Sequence, residues 1–367
     1  MPELRVEAAA GSYPVQIEAG IASRVGEWVR AQARGSRVLV VCDHNTAEIA
    51  GNRVAHDAGA AIMELDTGEK VKTLDHLQSV CTTAAAAGLD RGSFIVAVGG
   101  GVVGDLAGTA AAVYLRGIRL VHVPTTLLAM VDSSIGGKVA VNLAAGKNLV
   151  GAFKAPEGVF IDPGLLSGLP EREFRSGMAE VIKSGLVADP ELTKVLDSAG
   201  DALRARQPDA LLDVITRSCA VKVGVVSRDE NESGERAILN YGHTFAHALE
   251  AASGYSPELA HGEAVGAGMM VAARVGAELG VTPADVVAVQ RAQLEAYGLP
   301  LTSPLKLAAD AVIAAMSHDK KASAGRVKWV LLDSIGHATW GHDVDPAVVR
   351  GAVEAALTIR DVHGRVP

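Results

Sequence analysis

Two histidines stand four residues apart in "NYGHTFAHALE", residues 240–250, and a third follows in "AHGEAVG". At that spacing His243 and His247 share one face of a helix. Zinc proteases use the same spacing, but with a glutamate directly after the first histidine; Thr244 fills that place here, so protease chemistry is not expected. His261 falls at the start of the helical run "GEAVGAGMMVAARVGAELG". The positive end of a helix favours the neutral imidazole that a metal requires. Glu180 in "SGMAEVIKSG" is a candidate third ligand. Gly177 in that run costs about 1 kcal/mol relative to alanine in a helix, which points to a close approach nearby. Ordinary roles also fit each residue: a helix histidine is commonly structural, and Glu180 can pair with Lys183 at i, i+3 for roughly 0.2–0.5 kcal/mol. Spacing alone leaves the metal site open.

A second candidate is the glycine turn "VGGGVVGDLAG", which holds Gly99-x-Gly101-x-x-Gly104 between a strand and a helix. Backbone N–H groups at such a turn can meet a pyrophosphate. The turn is not in the first strand–helix unit, however, and no acidic residue follows about 20 positions on, so a standard dinucleotide arrangement is not expected. Asp43 and Asn45, ending "VVCDHN", are alternative contacts for the adenosine end. The segment "DENESGERAILN" imitates half of a calcium loop, but Asn240 stands where a bidentate glutamate is required. Arg236 and Asn240 within it can instead present a cation and an amide to a substrate. Further cations sit beside glycines or in apolar runs: Arg116 in "YLRG", Lys138 in "GGKVAVN", Lys147 in "AGKN", Lys183 in "EVIK", then Lys222, Lys320 and Lys321. Converging, they would bind a phosphorylated and carboxylated small molecule.

These residues need elements to hold them. The 367 residues, 49% hydrophobic and 21% charged, have an ordinary globular composition with room for two domains. Only 4% are aromatic, so packing falls to Ala, Val and Leu, with close approach at some of the 40 glycines. The net charge of −8 argues against nucleic acid as a partner. Cys42, Cys81 and Cys219 are widely spaced and read as reduced thiols of a cytoplasmic protein. The first residues lack the basic-then-apolar pattern of a signal peptide. The most apolar stretch, Ser93 to Leu115, is broken by glycines and Asp105, so a membrane span is not expected. "LRVEA" and "YPVQIEA" suggest a leading strand pair, and "RVLVVCD", "FIVAVGGG" and "IRLVHVPTT" are buried strands separated by helical segments. That alternation implies a mostly parallel sheet. Beyond Pro170, segments turn helical and end in Gly254, Gly280 and Gly298, with a "VKWVLLD…HATW" hairpin before the last helix. The expected plan is an α/β N-terminal domain over 1–165 and a helical C-terminal domain over 166–367.

Taken together, "GGGVVGDLAG", "YLRG", "PTTLLA", "VDSSIGGK", "GKNLVGAF", "LPEREFRSGMAEVIK", "ERAILNYGHTFAHALE", "HGEAVG" and "HDKK" resemble the 3-dehydroquinate synthase family, in the family's order across residues 99 to 321. The resemblance implies an NAD-binding α/β domain with a mostly parallel sheet, followed by an α-helical domain holding a divalent metal, zinc or cobalt. It implies Glu180, His243 and His261 as metal ligands, with His247 facing the substrate phosphate. It places Arg116, Lys138, Asn148, Lys183, Lys222, Arg236, Asn240 and Lys320 on substrate positions, with Lys138, Lys183, Lys222, Arg236, Asn240 and His247 serving catalysis. Asp43, Gly100, Gly101, Asp105, Thr125, Thr126, Asp132 and Lys147 fall on cofactor positions, and "GEKVK" adds Glu69 and Lys72. The implied reaction converts 3-deoxy-D-arabino-heptulosonate 7-phosphate to 3-dehydroquinate by transient oxidation, phosphate elimination, re-reduction and intramolecular aldol closure. A homodimer is implied as well.

The pattern departs from the family at four places. Val139 and Ala140 replace Thr and Gly of "GGKTGVN", Gly168 replaces a threonine, and Met130 replaces a common glutamine. The Val139–Ala140 change keeps another sugar phosphate cyclase in view, such as an aminodehydroquinate synthase; a metal-dependent polyol dehydrogenase, which shares the two-domain plan and consumes NAD stoichiometrically, is a further alternative.

Overall fold

The computed structural model describes residues 3–8, 11–317 and 327–358. Lys320 and Lys321 of "HDKK" lie outside the described residues. The chain forms two compact units, Met1–Leu169 with Pro208–Glu230, and Pro170–Gln207 with Asn231–Pro367. The first unit is therefore not contiguous: the helix Pro208–Arg228 belongs to it, packing on the first strand and on the turn Ala129–Ser133.

In the first unit β1 (Glu3–Val6) and β2 (Tyr13–Ile17) form the antiparallel opening pair. Then come β3 (Val38–Asp43), β4 (Ala61–Leu65), β5 (Phe94–Gly99) and β6 (Arg119–Pro124). A separate antiparallel hairpin, β7 (Lys138–Leu143) and β8 (Gly146–Phe153), precedes β9 (Gly158–Ile161). Seven strands make one sheet in the order β1-β2-β9-β6-β5-β3-β4, parallel at every pairing except β1 with β2.

β3 and β5 read as unbroken apolar runs because both faces of the sheet are covered. Val38, Val40 and Cys42 of β3 pack with Phe94, Val96 and Val98 of β5 against the helices Ala22–Ala33 and Asn52–Ala58. The alternate residues Leu39, Val41, Ile95 and Ala97 pack against Leu74–Ala86 and Gly101–Val113. The chain leaves β3 toward β4 on one side and returns to β5 on the other. A reversal of that kind opens a crevice at the carboxyl ends of the two strands, where ligands of open α/β sheets sit. Asp43 ends β3 and Gly99 ends β5.

β6 carries His122, only 5% exposed, and burial pushes its imidazole down to about 4. Between that value and the ordinary 6.5, the unfolded chain binds a proton that the fold refuses. His122 therefore contributes fully above the ordinary value, and its contribution is lost as the pH falls toward the depressed one.

The second unit is built from the helices Glu171–Ala188, Pro190–Ser198, His243–Ala252, His261–Glu278, Ala284–Ala296, Ala309–Ser317 and Pro346–Leu357, with the hairpin β10 (Trp329–Ser334) and β11 (His337–His342). Pro170 precedes the first of them, as its fixed φ favours. Two glycines let the central helices meet. A Cβ on Gly262 would lie 2.3 Å from the Ser176 carbonyl oxygen, and one on Gly268 would lie 2.0 Å from that of Gly242. Real side chains do not fit at either contact. The close approach expected from Gly177 is thus made one residue earlier, by Ser176, whose Oγ also accepts the Gly262 N–H at 2.9 Å.

Gly268→Ala should destabilise the protein by about 1–3 kcal/mol or more, since a backbone oxygen cannot yield as a side chain does; urea unfolding measures it. His122→Leu should flatten the acid side of the stability profile. The stability gap between wild type and variant should change by roughly 1.4 kcal/mol per pH unit between pH 6.5 and 4. A constant gap across that range would show that His122 titrates normally in the fold.

Candidate active site

Three helices of the second unit each deliver one polar side chain to a common point. Glu180 comes from the middle of Glu171–Ala188, His243 from the first turn of His243–Ala252, and His261 from the first turn of His261–Glu278. Their ligating atoms all lie within 4.8 Å of one another, the one such group of metal-ligand type among the described residues. His243 Nε2 is 3.6 Å and His261 Nε2 3.7 Å from Glu180 Oε1. The other ring nitrogens are engaged elsewhere. His243 Nδ1 lies 3.2 Å from the Tyr241 carbonyl oxygen, and His261 Nδ1 lies 3.5 Å from Glu250 Oε1. With each Nδ1 carrying its proton to an acceptor, each Nε2 lone pair is left for a cation.

Glu180 is 1% exposed, and the Lys183 ammonium pairs with its Oε2, leaving Oε1 to face the two histidines. Burial pushes the carboxyl up, but Lys183 and His261 outweigh it and hold it down at about 2. Burial pulls His261 down, yet hydrogen bonds and charge from Glu180 and Glu250 raise it to about 10. The pocket thus asks for positive charge. A divalent metal would meet that demand with neutral imidazoles, displacing the proton. One carboxylate and two imidazoles suit zinc or cobalt, and three protein ligands leave coordination positions for a substrate.

His247 packs edge-on against His243 with ring centroids 5.2 Å apart and stays outside the ligand group. Arg236, 3% exposed, lies in the turn Glu235–Asn240 that leads into the histidine helix. Asn240 ends that turn, its Nδ2 donating to Glu232 Oε1 at 2.6 Å. Arg172 fixes the start of the His261 helix. Its guanidinium donates to both oxygens of Glu263, at 2.9 and 2.7 Å, while Glu263 Oε2 accepts the Ala260 N–H at 2.8 Å.

In the first unit Gly100 caps the helix Gly101–Val113 at the end of β5. A Cβ on Gly100 would sit 3.1 Å from Thr126 Cγ2, and one on Gly101 3.1 Å from Ser133 Oγ, so the turn forms a narrow backbone cradle. Thr125 Oγ1 and Ser134 Oγ are buried there without hydrogen-bond partners, and a small cavity is lined by Gly99, Gly100, Gly104, His122, Ser133 and Ser134. Orphaned hydroxyls beside exposed helix N–H groups fit a diphosphate. Asp43 Oδ1 accepts the Thr46 N–H at 3.0 Å, capping the short turn that contains Asn45.

Nearby, Lys72 Nζ reaches Asp105 Oδ2 at 2.5 Å and Asn148 Oδ1 at 2.6 Å. Burial pushes Asp105 up to about 6 against the opposing charge of Lys72. Asn142 ties Glu69 to this group: its Nδ2 donates to Glu69 Oε1 at 2.7 Å, and its Oδ1 accepts the Asn148 N–H at 2.9 Å. Lys222 pairs with Asp132. Lys138 opens β7, Lys147 is the second residue of β8, and Arg116 (φ 67°) closes the turn Tyr114–Arg116.

Sequence reasoning missed Asn142, Arg172, Glu232, Glu250 and Glu263. For Glu250 a signal existed: it stands seven residues after His243, two helical turns along the same face. The partners of Asn142 and Arg172 lie 73 and 91 residues away in the chain, and no local pattern announces such pairs.

A doubly wound sheet with a diphosphate-type glycine turn, joined to a helical unit with a Glu–His–His cluster, defines a nucleotide- and metal-dependent enzyme. The chain belongs to the 3-dehydroquinate synthase family. The family's N-terminal model matches residues 62–176 and its C-terminal model residues 177–322. A 3-dehydroquinate synthase of Acidithiobacillus ferrooxidans is 45% identical over 362 residues, covering 97% of this chain and 99% of that protein. Among solved structures, 2-deoxy-scyllo-inosose synthase in complex with carbaglucose-6-phosphate, NAD+ and Co2+ is 29% identical with a TM-score of 0.86, over 97% of this chain and 100% of that one. The 2-epi-5-epi-valiolone synthase of Streptomyces hygroscopicus subsp. jinggangensis 5008, with NAD+ and Zn2+ bound, is also 29% identical with a TM-score of 0.86, over 96% of this chain and 99% of that one.

Replacing Glu180 by glutamine removes the only anionic ligand of the group and should weaken cobalt binding by at least about 100-fold. Equilibrium dialysis, with circular dichroism to verify the fold, tests this; unchanged affinity would place the metal elsewhere.

Proposed function

We propose that this chain is a 3-dehydroquinate synthase. It converts 3-deoxy-D-arabino-heptulosonate 7-phosphate to 3-dehydroquinate and phosphate, the second step of the shikimate route to aromatic amino acids. The observation that carries the reading is a buried Glu180–His243–His261 cluster in a chain 45% identical, over 97% of its length, to a 3-dehydroquinate synthase. The reaction is redox-neutral overall: an alcohol is oxidised, phosphate is eliminated, the ketone is reduced, and an aldol step closes the ring.

When bound, NAD supplies a hydride acceptor that is regenerated within the turnover, and zinc or cobalt supplies Lewis acidity at a substrate hydroxyl. Glu180, His243 and His261 would hold the metal. Asp43, Asn45, Glu69, Lys72, Gly100, Gly101, Asp105, Thr125, Thr126, Asp132 and Lys147 are assigned to NAD. To the substrate we assign Arg116, Lys138, Asn148, Lys183, Lys222, Arg236, Asn240 and His247, with Lys320 beyond the described residues. Lys183 and Arg236, 2% and 3% exposed, sit in a dry setting, where the attraction of a cation to a carboxylate or phosphate is strong. His247 would hold the phosphate beside the carbon that must lose a proton, so that the leaving group can itself take it. The protein's task is then chiefly positioning and charge stabilisation.

We further assign a cytoplasmic homodimer whose ligands are small molecules rather than nucleic acid or membrane. A net charge of −8 supports the exclusion of nucleic acid, and no helix among the described residues is long and apolar enough to cross a membrane. The NAD-binding domain is assigned to residues 1–165 and the helical metal-binding domain to 166–367, with the helix Pro208–Arg228 counted structurally with the former.

The purified protein, given the substrate, zinc or cobalt and substoichiometric NAD+, should release phosphate and form dehydroquinate over many turnovers per NAD, and chelator should abolish this. Product limited to one equivalent per NAD would indicate a dehydrogenase, while turnover only on an amino analogue or another sugar phosphate would indicate a different cyclase. Lys138→Ala should lower kcat/KM at least about 10-fold while NAD binding persists; wild-type kinetics would remove Lys138 from the site.

A further inference from the structure

Glu250 takes no part in the ligand group or in the roles assigned above, yet its side chain points at a ligand. It is 7% exposed and lies near the end of the helix His243–Ala252. Seven residues separate it from His243, two turns of helix, so both face the same neighbour. That neighbour is the helix His261–Glu278, and Glu250 Oε1 stands 3.5 Å from His261 Nδ1. On the opposite edge of the ring, His261 Nε2 stands 3.7 Å from Glu180 Oε1. One imidazole therefore spans two buried carboxylates, one on each nitrogen.

The two histidines differ in what holds their far side. His243 Nδ1 meets a neutral acceptor, the Tyr241 carbonyl at 3.2 Å, whereas His261 Nδ1 meets a carboxylate. A carboxylate acceptor fixes the proton on Nδ1, aims the Nε2 lone pair and makes the imidazole a stronger donor. His261 also needs the support more. Its side chain is 31% exposed against 10% for His243, so packing restrains its ring less.

We propose that Glu250 is the positioning residue of the metal centre, holding His261 through Nδ1 so that Nε2 faces the ion. The inference rests on the reading of Glu180, His243 and His261 as metal ligands. One helix then supplies both a ligand, His243, and the support for the ligand borne by another helix.

The test compares wild type, Glu250→Gln and Glu250→Ala as full-length proteins. Affinities for Co2+ and Zn2+ are measured by competition with a chelating dye, together with the visible spectrum of the cobalt form, NAD affinity and the melting temperature without metal. The expected order of metal affinity is wild type, then glutamine, then alanine, with alanine 10- to 100-fold weaker than wild type. The cobalt absorption bands should shift in both variants while NAD affinity stays unchanged. The near-isosteric glutamine can still accept from Nδ1–H, so it keeps the proposal testable if alanine folds poorly. Wild-type metal affinity and spectrum in both variants, whether or not the melting temperature falls, would overturn the proposal and leave Glu250 as a helix-to-helix stitch. Failure of the wild-type protein itself to bind either ion would overturn the metal reading, and this inference with it.

Discussion

A carboxylate with almost no exposure to water sets the terms for the second unit. Ionised Glu180 must be answered by positive charge within a few ångströms, because burial of an uncompensated charge costs several kcal/mol or more. Lys183, one turn along the same helix, supplies part of the answer. The remainder must come from other helices, and it can come only if their backbones approach closely. Gly262 against Ser176 and Gly268 against Gly242 are where that approach happens. The Arg172–Glu263 clamp then fixes the end of the helix whose first residue is His261. Small residues, clamp and ligands are thus consequences of one electrostatic requirement.

The first unit uses the same device with a different balance. Asp105 is also a buried carboxylate answered by a lysine, Lys72. There burial prevails, and the group rises to about 6, because Glu69 and Asp132 add negative charge that Lys72 alone does not offset. Glu180 has both Lys183 and His261 in its favour and falls to about 2. The contrast separates two kinds of site. One keeps a fixed anion ready for a metal; the other holds a carboxyl raised to about 6 beside a lysine and an amide, in a network that links β7 and β8 to the helix after the glycine turn.

Much of this was legible in the sequence, and for physical reasons. β3 and β5 are unbroken apolar runs because parallel strands are covered on both faces, and Gly254, Gly280 and Gly298 end helices because the left-handed conformation they adopt (φ 65°, 69° and 67°) penalises any other residue. The Glu–His–His group was within reach because one histidine opens each of two helices and the glutamate lies in a glycine-bearing third. Most supports of the site were not legible. Glu250 at least shares a helix face with His243, but Arg172 in a helical run and Glu232 in an acidic loop look like ordinary surface charges until the fold gives them partners. The hairpin β7–β8 was also missed as structure, since its glycines and lysines mask the alternation of Val139 and Val141.

That hairpin carries two of the four departures from the family pattern, Val139 and Ala140. Along β7, Lys138 is exposed while Val139 and Val141 are buried, so Val139 points away from the face that carries Lys138. It packs on the helix Gly101–Val113, where a Cβ at Gly108 would come within 2.4 Å of its Cγ1. Met130 is wholly buried, and its carbonyl accepts from Cys219 Sγ at 3.4 Å. Gly168 has nothing within 4 Å of where a Cβ would stand. Three of the four departures therefore exchange core volume or leave open space, and none alters a charge. Ala140 alone shares its strand face with Lys138. The effect of an exchange inside the core falls on packing, whereas discrimination between substrates arises from groups that face them. Among the four departures, then, Ala140 is the one on the strand face that carries Lys138, and Val139, although it breaks the motif most visibly, belongs to the packing of the sheet.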